Sequence, residues 1–201
     1  FDKLRPGEGA SSRNGGLASA NIKIGFGELL EKHGRDRALE VYGEGKHARE
    51  GLKAFIKEEE IDCDYQSVGR FIGAYRPTHF DAQRREADLL NEHLDVGAEI
   101  VEPANIHTEI GSDHYYGGMV RPDLSGLHPA KFVAGLLQKV SDAGVTIHGE
   151  TAVLNVSKET IGSEILTTRG SVKAKEVIVA TNGYSDASDP WLRRRLVPVA
   201  S

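Results

Sequence analysis

Gly9, Ala10, Ser11, Ser12, Arg13, Asn14, Gly15, Gly16 and Leu17 form the stretch on which the reading of this chain turns. Its three glycines let the backbone take positive φ and approach a ligand closely, and they stand among hydroxyls, an amide and a guanidinium. Free backbone N–H groups, the Ser11 and Ser12 hydroxyls and the planar fork of Arg13 suit a phosphate. The same residue types also make an ordinary surface turn, so the choice between anion site and plain loop falls to the rest of the sequence.

A second polar stretch lies far along the chain. Val177, Ile178, Val179 and Ala180 are wholly apolar, which predicts a strand covered on both faces in a parallel sheet, and they run into Thr181, Asn182, Gly183 and Tyr184. Ligands of open α/β sheets bind at the carboxyl ends of the strands, which places Thr181, Asn182 and Gly183 at a mouth. A capped strand end followed by an Asn-Gly turn accounts for the same residues without a ligand.

Between the two stretches the periodicity changes several times. Leu17 to Ile24 is compatible with strand or helix, and Glu28 to Lys32 predicts a short helix ending at Gly34. Arg35 to Ile61 repeats apolar residues at steps of three and four, the pattern of a long amphipathic helix, although Gly43, Gly45 and Gly51 each weaken it by about 1 kcal/mol against Ala. Cys63 to Tyr75 reads as a strand with a bulge at Gly69 or Gly73. Thr78 and Asp81 then suggest a capping box for a second long helix carrying Phe80, Ala87, Leu90 and Leu94. Pro103 to Ile110 suggests a helical turn, and His114 to Val120 a strand containing two glycines. Pro129 starts a third helix that stops before Gly144. A strand at Val145–His148 and an antiparallel meander over Thr151–Ser157, Glu164–Thr168 and Val172–Ala174 complete the pattern.

With 201 residues and 39% hydrophobic content, the chain is long enough to bury a core as one domain or as two unequal lobes. A net charge of −5 opposes broad attraction to nucleic acid. The single cysteine, Cys63, rules out an internal disulfide framework and makes a cytoplasmic setting the default. No apolar run approaches the roughly 20 residues that span a bilayer. The first residue is Phe1 and no leader precedes the glycine-rich loop, so the chain is expected to begin partway into a longer protein. Oligomeric state leaves no signal in the sequence.

The two polar stretches, together with the order helix, strand, meander and apolar strand, resemble the flavin-dependent amino-acid and amine oxidase family that includes D-amino acid oxidase, sarcosine oxidase and glycine oxidase. Gly9 to Gly16 is similar to the variant in the γ-glutamylputrescine oxidase-like branch, Val177 to Tyr184 to the family's late flavin-contacting strand, and Leu127 to Val153 to its helix, strand and adenine-side strand. Leu196 to Val199 also fits. The resemblance implies an α/β chain of mixed character: part of an FAD-binding sheet with its antiparallel meander, plus part of a substrate lobe. Residues 1–34 and 127–201 would belong to the FAD-binding part and 35–126 to the substrate lobe. It further implies oxidation of a C–N bond in a small amino acid or amine by hydride transfer to FAD. By position, Ser11, Ser12, Arg13, Asn14, Gly15 and Gly16 would lie along the pyrophosphate and flavin. Val153 would meet the adenine side through its backbone, and Thr181, Asn182 and Gly183 would approach from the other side.

One departure is large. Family members begin with a strand, a G-x-G-x-x-G turn, a helix and a second strand ending in an acidic residue. Gly43, Gly45 and Ala48 match a permissive form of that turn but sit inside a helical periodicity, and Gly7-Glu8-Gly9 lacks the third small residue. Without the main anion site of such a fold, this chain alone is expected to hold FAD weakly or not at all and to lack oxidase activity. A binding or interaction module that keeps the fold without catalysis is the alternative.

Flavin-dependent amine oxidation depends chiefly on positioning, so acid–base residues are hard to read from sequence. Tyr75, His114, Tyr115, Tyr116 and Arg121 are the candidates for lining the substrate pocket, since aromatic edges and one guanidinium suit a substrate bearing a carboxylate. Sheet or core packing is the competing role for each aromatic. The eight histidines show no spacing that would assemble a metal site. Asp62 and Asp64 flank Cys63 and oppose thiolate formation, which makes it a poor nucleophile.

Overall fold

A computed structural model describes residues 1–20, 22–184 and 188–197. The chain divides into two compact units, Asn14–Gly135 and a second made of Phe1–Arg13 with Leu136–Ser201.

In the larger unit, β1 (Leu17–Ser19) leaves the glycine-rich stretch and α1 (Phe26–His33) follows. No local side chain caps α1. The Glu86 carboxylate, from a distant helix, accepts the N–H groups of Phe26 at 2.9 Å and Gly27 at 3.3 Å, which satisfies two orphan donors and sets a negative charge at the positive end of the helix. Gly34, with φ 77°, closes α1 and opens α2 (Arg35–Glu58). Gly45 explains one of the mid-helix glycines: a Cβ there would stand 2.3 Å from the carbonyl oxygen of Ala20. Gly43 and Gly51 face open space.

The segment read as one strand from Cys63 to Tyr75 is two, β2 (Gln66–Ser67) and β3 (Arg70–Gly73), because Gly69 takes φ 71° between them. α3 (Pro77–Leu94) begins at its proline, with extended Arg76 as N-cap; Thr78 therefore lies inside the helix, and the expected capping box does not form. Next come β4 (Glu99–Val101), a 3-10 turn over Pro103–Thr108, β5 (Gly118–Arg121) and β6 (Leu124–Gly126). The expected strand from His114 shrinks to β5, its first residues forming a loop. Two antiparallel sheets result, ordered β1-β6-β2 and β3-β5-β4. The core joins Phe26, Leu29, Ala38, Tyr42 and Leu90, and α3 sets Ala87 against Met119 and Ala98 of the second sheet region. α4 (Pro129–Asp142) runs across the division between the units.

In the smaller unit, β7 (Val153–Lys158), β8 (Ser163–Thr167) and β9 (Gly170–Ala174) form the expected meander. The first residues run beside 148–151: Asp2 N donates to His148 O, Thr151 N to Asp2 O and Glu150 N to Leu4 O, while the Phe1 ring stacks on His148 at 5.0 Å. α5 (Pro190–Arg193) is capped by the Asp189 carboxylate. Val145–His148 and Val177–Ala180, both expected as strands, pair with no strand among the described residues. Ile178 is 91% exposed, so the apolar run is present without the covering layers that a buried strand requires. Among the described residues no helix is long and apolar enough to cross a membrane.

Candidate functional site

The first part of the glycine-rich loop, in the smaller unit, winds as a 3-10 turn over Ala10–Ser12. Ser12 turns its hydroxyl inward, donating to the Gly7 carbonyl and, at 3.2 Å, to that of Gly9. Ser11 and Arg13 are exposed, and a Cβ on Gly9 would meet nothing within 4 Å.

The second part, in the larger unit, is fixed by two contacts. Asn14 accepts the Gly16 N–H through its side-chain oxygen at 2.9 Å, an Asx turn that leaves Gly15 exposed. Gly16 is buried at φ 64°, its carbonyl accepts the Leu127 N–H at 2.9 Å, and a Cβ on it would lie 2.0 Å from the Leu127 oxygen. The loop thus needs Gly16 for fit, whereas Gly15 keeps open backbone surface.

Val153 opens β7 opposite Thr167 and is half-buried. Thr181 to Tyr184 form a turn in which Tyr184 N donates to Thr181 O at 3.0 Å, and Asn182, at φ 52°, accepts the Gly183 N–H at 2.8 Å. A cleft of about 450 Å³ is lined by Thr181, Asn182, Gly183 and Tyr184 together with Leu192 and Leu196. Of the expected closing stretch, Pro198 and Val199 lie outside the described residues.

The substrate-side candidates separate into two groups. Tyr75 meets His114 at 5.5 Å and Tyr115 at 5.1 Å between ring centroids, and His114 meets Tyr115 at 5.9 Å, all near edge-to-face. Two glycines make room for this aromatic face: Gly73 and Gly118 are cross-strand partners, a Cβ on Gly73 would strike the Tyr115 ring, and one on Gly118 the Phe71 ring. The hydrogen bond between Tyr75 and Tyr115 raises the Tyr115 hydroxyl above its ordinary pKa. Tyr116 is half exposed and tied by its N–H to Ala74 O.

Arg121 lies elsewhere. It is 3% exposed, and its guanidinium grips Asp123 through Nε at 3.1 Å and through Nη2. A substrate carboxylate at Arg121 would have to compete with that internal one. Burial raises the Tyr42 phenol above its usual value, against the lowering effect of the nearby Arg121 guanidinium. Arg70, whose Nη2 stands 3.9 Å from Asp123, is lowered chiefly by burial and then by Arg121. Sequence alone does not mark Asp123, Arg70 and Tyr42 as a group; its one signal is a strand interrupted by Pro122 that carries arginine and aspartate two residues apart. The buried Cys63 thiol is pushed up, first by burial and then by Asp62 and Asp64. No cluster of potential metal ligands occurs among the described residues.

With a glycine-rich polar loop, an antiparallel meander and a helix-backed antiparallel sheet, the chain belongs to the FAD dependent oxidoreductase family, whose model matches residues 1–201. FAD is the cofactor of that family and of its oxidases. Among individual proteins, it is 25% identical over 201 residues to the probable oxidoreductase OrdL of Rhizobium meliloti (strain 1021), covering 100% of this chain and 47% of the relative. It is 27% identical over 199 residues to the gamma-glutamylputrescine oxidoreductase of Escherichia coli (strain K12), covering 98% and 46%. The chain therefore spans about half the length of the curated relatives it matches. Its fold is like that of glycine oxidase from Geobacillus kaustophilus, with TM-score 0.73 at 18% identity over 92% of this chain and 48% of the other. The L-amino acid deaminase of Proteus vulgaris matches at TM-score 0.65 and 18% identity over 89% and 40%.

Proposed function

We propose that the protein to which this chain belongs oxidises a C–N bond of an amino acid or amine, with FAD accepting the hydride. The observation that carries the reading is the family match along all 201 residues, joined to relatives and structural neighbours named for a glutamylated amine, glycine and L-amino acids.

The residues present fit a dinucleotide. Gly9 and Gly15 expose backbone without an obstructing Cβ, Arg13 and Ser11 stand at the surface beside them in sequence, and Asn14 shapes the loop. Ser11, Ser12, Arg13, Asn14, Gly15 and Gly16 would hold the pyrophosphate and flavin, Val153 the adenine side, and Thr181, Asn182 and Gly183 the opposite approach. Bound FAD supplies a two-electron acceptor. The protein's own share is to place the substrate C–H and exclude water. We assign that share to Tyr75, His114 and Tyr116, with Arg121 contributing through the structure that it holds. Residues 35–126, which we read as the substrate lobe, are part of the compact unit Asn14–Gly135. The chain alone, lacking G-x-G-x-x-G, would bind FAD weakly and be inactive.

The test is flavin-fluorescence titration of the longer protein, with Arg13→Ala and Gly15→Val as variants. Weakened FAD binding in both supports the reading, and unchanged binding in both contradicts it.

A further inference from the structure

Strands β2 and β3 and their partners β6 and β5 change sheets together at one corner. Ser67 faces Ser125 and Arg70 faces Arg121. Two residues, Val68 and Gly69, therefore span the same step as three, Pro122, Asp123 and Leu124, which makes the partner strand the bulged one. The corner fits closely: Gly69 N donates to Leu124 O at 3.0 Å, and a Cβ on Gly69 would lie 2.8 Å from Arg121 O. Pro122 brings no N–H to be satisfied.

Inside the corner one carboxylate serves two guanidinia. Asp123 takes Arg121 through two nitrogens, with side-chain exposures of 12% and 4%, while Arg70 stands directly across the strand pair from Arg121 with its Nη2 3.9 Å from Asp123. Nε and Nη2 of Arg70 are buried without a hydrogen-bond partner. Like charges directly opposed on neighbouring strands repel, so Asp123 is what lets the two arginines share this place. Tyr42 of α2, itself buried, lies near enough for the Arg121 guanidinium to act on its phenol.

The corner joins two surfaces of different purpose. The sheet β1-β6-β2 is entered directly from Gly16 of the glycine-rich loop, and the sheet β3-β5-β4 carries the aromatic face of Phe71, Tyr115 and Tyr75. We propose that Asp123 is a positioning residue, whose clamp on Arg121 sets the angle between the sheet that follows the glycine-rich loop and the sheet that bears the aromatic face. The meaning of the two surfaces as cofactor side and substrate side rests on the proposed function, whereas the clamp itself is measurable without flavin.

Nitroxide labels at Leu17→Cys, 71% exposed in wild type, and at Glu99→Cys, also at an exposed position, report the distance between the sheets by pulsed electron resonance; Cys63, 1% exposed, stays unlabelled in the folded chain. The unmodified corner and Arg70→Met should give the same single narrow distribution, because the Asp123–Arg121 clamp survives in both. Asp123→Asn should broaden or displace it. Asp123→Glu keeps the charge but lengthens the clamp by one methylene, and so should displace the maximum in a chain whose circular dichroism is unchanged. If Asp123→Asn does not fold, the glutamate variant decides. An unshifted distribution in folded Asp123→Glu overturns the proposal, as does a shift in Arg70→Met equal to that in the Asp123 variants.

Discussion

Gly16→Ala tests whether the glycine-rich loop is a fitted part of the structure. At φ 64° an alanine adopts a left-handed conformation that costs about 1–2 kcal/mol. Its Cβ would also lie 2.0 Å from the Leu127 oxygen and 3.1 Å from Cδ of Pro129. Relief of that contact requires the loop to retreat, which loses the Leu127 N to Gly16 O hydrogen bond of 2.9 Å, a further ~1 kcal/mol. The sum is about 2–3 kcal/mol, which at about 2–4 °C per kcal/mol for a chain of this size lowers Tm by about 4–12 °C. Gly15→Ala is the internal control, since the nearest atom to its Cβ is Cγ of Leu17 at 3.8 Å; its effect should stay within about 0.5 kcal/mol. Thermal unfolding followed by circular dichroism separates the two. Equal losses for both variants, or no loss for Gly16→Ala, would refute the reasoning.

Helix α2 supplies a second contrast. Gly51→Ala, in open space, should stabilise by up to about 1 kcal/mol, whereas Gly45→Ala should destabilise despite the same propensity gain, because its Cβ meets the Ala20 carbonyl; urea midpoints check both signs. At the arginine corner, Asp123→Asn leaves two guanidinia without their carboxylate and should cost about 3–5 kcal/mol, while Arg70→Met removes the under-satisfied cation and should range from neutral to about 1 kcal/mol stabilising, again in urea. Tyr42 sets a pH dependence. Its folded pKa lies above the ordinary 10.0, so above pH 10 the unfolded chain loses the phenolic proton first, and stability falls as pH rises through that value. Tyr42→Phe should remove this part of the alkaline loss in denaturation curves measured on both sides of pH 10; an identical slope in the variant would contradict it.

The helices were legible because their apolar residues recur at helical spacing and because Gly34, Pro129 and Gly144 punctuate them. The meander was legible from its turns at Gly162 and Gly170, both at positive φ. What sequence could not supply was pairing. Cys63 to Tyr75 has strand composition throughout, yet the corner at Gly69 depends on an extra residue in a partner strand more than fifty positions away. Val145–His148 has the composition of a short strand and Val177–Ala180 that of a covered one, but composition does not provide a neighbour. Arg121 looked like a free guanidinium because the carboxylate that holds it, two residues on, is separated from it by a proline that reads as a loop. Thr181, Asn182 and Gly183 stand out in the sequence by their place after an apolar run; that run is not a strand, and the three residues line a cleft.

Reduction of the flavin by substrate tests the proposed C–N oxidation most directly. The longer protein, loaded with FAD, is mixed anaerobically with a panel of amines and amino acids while the visible flavin band is followed. Bleaching by at least one such compound, and not by matched alcohols, is the expected result; a flavin that stays oxidised with every amine and amino acid in the panel would contradict the account.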